Sequence, residues 1–100
     1  MKDLIEALKI IAKYMDPNTK WPTACEHDVM YVCNVKVSDI PYRDIVKLIK
    51  LGFLPGSDEN NYVVEDILGD FEWEELTKKN WEDIKNELDN TMFSYKYGSC

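Results

Sequence analysis

The stretch His27-Asp28-Val29-Met30-Tyr31-Val32-Cys33-Asn34-Val35-Lys36-Val37 decides how the rest of the chain is read. Val29, Tyr31, Cys33, Val35 and Val37 share one parity, and Asp28, Met30, Val32, Asn34 and Lys36 the other. A period of two is that of an extended strand, whose successive side chains point to opposite faces. The odd-numbered face is therefore predicted to be buried, with Trp21-Pro22-Thr23 as an extended lead-in.

Before this strand, Leu4, Leu8, Ile11, Ala12 and Met15 recur at helical spacing with Ile5 at the edge, while Lys2, Glu6, Lys9 and Lys13 point away. The pattern predicts a helix over roughly residues 3 to 15, capped by Asp3 and stopped at Asp16-Pro17-Asn18. After the strand, Ser38-Asp39 offers an N-cap, Pro41 fits a first turn, and Ile45, Val46, Leu48 and Ile49 make a core face. Gly52 suits the left-handed residue that ends such a helix, with Phe53 folding back on Leu48 or Ile49.

Leu54-Pro55-Gly56-Ser57-Asp58 is expected to be a turn and Tyr62-Val63-Val64 a short strand. Between Asp70 and Leu88 the chain reads as two short helices: Trp81 is out of step with Trp73, Leu76, Ile84 and Leu88, and Asn80 resembles a new N-terminus. Met92 to Tyr97 alternates again, Phe93, Tyr95 and Tyr97 against Met92, Ser94 and Lys96, and is expected to lie beside the 29–37 strand. The resulting class is α+β: a single small domain over 1–100, with an N-terminal helix and further helices packed on a small, mainly antiparallel sheet.

Charge is unevenly spread along this framework. Residues Gly56 to Asn90 hold twelve Asp and Glu against Lys78, Lys79 and Lys85, a local balance of −9, and the remainder is +2 within a net −7. The acidic helical segment at about 56–90 therefore carries more than all of the net charge. Runs of Asp and Glu often serve only solubility, but eight lie between Asp70 and Asp89, and like charges at i,i+4 cost a helix a few tenths of a kcal/mol each. A surface of this kind suits a basic partner.

At Pro22-Thr23-Ala24-Cys25-Glu26-His27-Asp28, through Tyr31-Val32, and again at Leu51-Gly52-Phe53 and Tyr95, Tyr97, Gly98, Ser99 and Cys100, the chain resembles a group of small uncharacterised phage and prophage proteins. The resemblance implies a viral or mobile-element origin and a compact strand, helix, strand unit. The shorter members lack the acidic stretch, which reads as an elaboration of this chain.

Other chemistry assembles poorly. Cys25 and His27 share a face if both lie on a strand, as zinc ligands at roughly 2.0 to 2.3 Å require, but Cys33 is about 20 Å further along and Cys100 is the remaining candidate. The same pair fails as nucleophile and base, since alternate strand positions lie about 6 to 7 Å apart. No phosphate-binding glycine loop is present, so no cofactor, metal or catalytic residue is expected. Three cysteines without CxxC spacing suit free thiols in a cytoplasmic protein, and no signal peptide or membrane span is expected. Trp21, Trp73, Trp81, Tyr95 and Tyr97 could stack bases only beside a positive groove, which the composition does not supply, so direct nucleic-acid binding is not expected.

The functional expectation is a non-enzymatic binding protein. Asp70, Glu72, Glu74, Glu75, Glu82, Asp83 and Glu87, with Trp73 as an aromatic anchor, are the candidate partner-binding residues. Their carboxylates would meet a protein with a basic, nucleic-acid-binding surface, and the phage resemblance makes an anti-CRISPR-like antagonist the leading reading. The alternatives are a metal- or small-ligand-binding module at the Cys25/His27 end and a virion assembly or accessory protein.

Overall fold

The computed structural model describes residues 2–17, 23–26, 29–57 and 61–96. In chain order these form α1 (Lys2–Ala12), β1 (Thr23–Glu26), β2 (Val29–Cys33), a 3₁₀ turn (Val37–Asp39), α2 (Tyr42–Lys50), β3 (Leu54–Pro55) and α3 (Asn61–Leu68). A second 3₁₀ turn (Trp73–Glu75), α4 (Lys78–Ile84), a third 3₁₀ turn (Lys85–Glu87) and β4 (Thr91–Ser94) follow. The strands make one antiparallel sheet in the order β1-β2-β4-β3, and the helices pack against it, as the α+β reading expects.

β2 and β4 are neighbours, with Tyr31 opposite Phe93 and Val32 opposite Met92. The odd-face expectation for 29–37 holds in part: Val29, Val35 and Val37 are buried. Val32 and Met92 enter the helix-packed core, whereas Tyr31 and Cys33 are only half-buried. Val29 and Phe93 are buried on the other side of the sheet, with the Tyr31 and Phe93 ring centroids 6.4 Å apart. Both faces carry apolar residues, so alternation alone does not say which one meets the helices.

The strand also ends earlier than its pattern. Asn34 adopts φ +57°, a left-handed conformation that Asn tolerates better than most residues. This one residue resets the parity, so that Val35 and Val37 join the same core as Val32. Around it, Asn34 O accepts the Asp16 N–H at 3.0 Å, and the N–H groups of Val35 and Lys36 donate to Asn90 O and Tyr14 O.

α1 stops at Ala12, short of residue 15, and its buried stripe is Ala7, Ile10 and Ile11, rotated away from the exposed Ala12. Ser38-Asp39 lies in the 3₁₀ turn, and Pro41 rather than Ser38 or Asp39 is the N-cap of α2. The end of α2 is as expected: Gly52 sits at φ +101°, its N–H donates to Ile49 O, and the Phe53 N–H returns to Leu48 O at 2.9 Å. Phe53 is fully buried.

Two assignments exchange places. Tyr62-Val63-Val64 is helical within α3, because Val63, Val64, Ile67 and Leu68 recur at helical spacing and Gly69 at φ +74° ends the run. The short strand lies instead at Leu54–Pro55, where Pro55 is tolerated because β3 is an edge strand. The lead-in at Thr23 opens β1, which pairs with β2 from Thr23↔Val32 to Glu26↔Val29. Tyr97 and Trp21 lie outside the described residues, and β4 ends at Ser94.

Candidate acidic binding surface

The 70–89 segment is fixed to the body by buried groups at its inner side. Leu76 is buried, and its carbonyl accepts the Tyr42 hydroxyl at 2.7 Å. Trp81 is fully buried on α4 and donates its Nε1–H to Ile40 O at 2.8 Å, so it belongs to the core and not to an interface. Thr77, not Asn80, starts α4: its side chain accepts the Asn80 N–H at 3.1 Å. Asn80 is the third helical residue, and the non-helical Leu76 and Thr77, between the 3₁₀ turn and α4, account for the phase break read at Trp81.

Outward from this anchor, Asp70, Glu72, Glu74, Glu75, Glu82, Asp83 and Glu87 are all exposed. Glu82 pairs with Lys85 at 2.6 Å, and Asp89 accepts the Ser57 hydroxyl at 2.9 Å. None of Asp70, Glu72, Glu74, Glu75, Asp83 or Glu87 forms an ion pair with another described residue.

Trp73 behaves differently from Trp81. It is half-buried and meets Phe71 edge-on at 5.2 Å between ring centroids. A hollow lies on each side of it. One, of about 350 Å³, is lined by Tyr42, Val46, Ile49, Lys50, Trp73, Glu74 and Leu76. The other, of about 420 Å³, is lined by Val64, Glu65, Asp70, Phe71, Glu72 and Trp73. The fold thus gathers Asp70, Glu72, Trp73 and Glu74 around these hollows, while Glu75, Glu82, Asp83 and Glu87 line neither.

Sequence reasoning missed the walls that α2 and α3 contribute. Of the expected core face Ile45, Val46, Leu48 and Ile49, only Ile45 and Leu48 are buried, and Val46 and Ile49 are half-buried at the groove. Their i,i+3 spacing beside that buried pair was the available signal.

The metal alternative cannot be placed in the same way: His27, Cys100 and the side chain of Cys25 lie outside the described residues. Cys33 is a half-buried free thiol, and among the described residues no three His, Cys, Asp or Glu group to hold a metal ion. No helix among the described residues is long and apolar enough to cross a membrane. Comparison with protein-family models, curated proteins and solved structures finds no match to the chain.

Proposed function

We propose that this chain is a binding protein whose acidic segment occupies a basic, nucleic-acid-binding surface of another protein. Coupled to the phage resemblance, this makes it an antagonist of a host or antiviral nucleic-acid-binding protein, anti-CRISPR-like in its mode of action. The observation that carries the reading is the set of exposed, unpaired carboxylates at Asp70, Glu72, Glu74 and Glu75, flanking the half-buried Trp73. Carboxylates imitate phosphates toward Arg and Lys, and a concentrated negative field speeds encounter with a basic surface.

Affinity capture from cell extract, with and without added nucleic acid, tests this directly. Nucleic acid is expected to displace the partner, and added salt to weaken its capture. Reversing Glu72, Glu74 and Glu75 to Lys is expected to abolish capture while changing stability by only about ±0.5 kcal/mol per exposed site. Equal capture by the triple variant, without salt dependence, would reject the reading.

A further inference from the structure

Trp73 is shared by two hollows of opposite character. On the α2 side, Val46 and Ile49 are half-buried, Leu76 is buried, and the Tyr42 hydroxyl is tied to Leu76 O at 2.7 Å, so this wall is apolar and braced. Its volume of about 350 Å³ is at the small end of ligand pockets, suited to one large side chain. On the α3 side, the edge-on pair Phe71 and Trp73 is surrounded by Glu65, Asp70 and Glu72. Aromatic rings and carboxylates together favour an organic cation, through ring quadrupoles and charge-assisted hydrogen bonds.

We infer that the two hollows form one docking site for a linear segment of a partner protein, with a large apolar side chain in the α2 groove and a lysine or arginine in the α3 hollow. This rests on the carboxylate-surface reading above and specifies the chemistry of the partner. Charge complementarity selects such an occupant, because Glu65, Asp70, Glu72 and Glu74 rim the two hollows against the single cation Lys50. Spacing agrees: alternate side chains of an extended segment lie about 6 to 7 Å apart on one face, enough to straddle an indole.

Three synthetic peptides of equal length test the site, each with serine at every second position so that the residues between share one face: repeating Leu-Ser-Arg-Ser, Gly-Ser-Arg-Ser and Leu-Ser-Gln-Ser. Affinity is read by fluorescence anisotropy and location by the Trp73 indole N–H resonance, with the buried Trp81 indole as internal reference. The leucine–arginine peptide is expected to bind at least about tenfold tighter than the glycine–arginine peptide, the factor that one buried leucine can supply, and tighter than the leucine–glutamine peptide, which lacks the charge-assisted contacts. It should shift the Trp73 resonance and leave Trp81 still.

Trp73→Ala should remove the preference for leucine; if that variant does not fold, Ile49→Gln in the groove wall gives the same reading. Equal binding of the two arginine peptides with Trp73 unmoved would overturn the inference and leave the carboxylate reading standing. Failure of both arginine peptides to bind would overturn both, and equal binding of the two leucine peptides would overturn the cation half of the site.

Discussion

Trp81 lies beneath the acidic segment with its indole out of solvent and its one donor satisfied by Ile40 O. Trp81→Ala should therefore cost about 3 to 5 kcal/mol in a denaturant melt. Trp81→Phe leaves the Ile40 carbonyl without that donor, at about 1 to 3 kcal/mol. Tyr14 gives a pH signature instead. Its hydroxyl donates to Asp44 on α2, and burial first, then this carboxylate, push its pKa from 10.0 up to about 12. A folded-state pKa above the unfolded value means that the stabilisation is complete below pH 10 and is lost as pH rises towards about 12. Comparing melts of the parent and Tyr14→Phe across that window isolates the effect: the difference between them should shrink as pH rises.

Among the elements, the join after β2 depends on a backbone conformation that most residues resist. Asn34→Gly should be neutral or slightly stabilising, whereas Asn34→Val should cost about 1 to 2 kcal/mol, the penalty of a left-handed conformation. Equal melting of the two variants would mean that Asn34 does not set the parity. The α2 terminus was readable because its signal is local: Leu51-Gly52-Phe53 contains the glycine and the hydrophobic contact that the cap needs. Asn34 was not, since Asn, though depleted in strands, does not by itself demand a left-handed torsion, and here that torsion answers to Asp16, Tyr14 and Asn90, distant in sequence or beyond a turn. β3 was hidden for a similar reason. Leu54–Pro55 reads as a turn, and only the presence of β4 beside it supplies partners for a two-residue edge strand.

For the molecule as a whole, the local −9 between Gly56 and Asn90 is a repulsion carried within one fold. Added salt should raise the melting temperature by screening it, and the Glu72, Glu74 and Glu75 reversal, which takes the net charge from −7 to −1, should respond less. Equal salt responses would show that the charge is too dispersed to strain the fold. The charge imbalance, the α+β order and the β2–β4 partnership were legible in the residues alone, because charge needs no structure and hydrophobic period is a local consequence of backbone geometry. The sorting of the tryptophans was not. Trp73 and Trp81 belong to the same 70–89 segment, and their separation into surface ridge and core follows from Thr77 starting α4, from Ile40 receiving one indole and from the hollows flanking the other. Which side of β2 meets the helices was likewise settled by packing, since both faces are apolar and burial is a property of what the rest of the chain places against them.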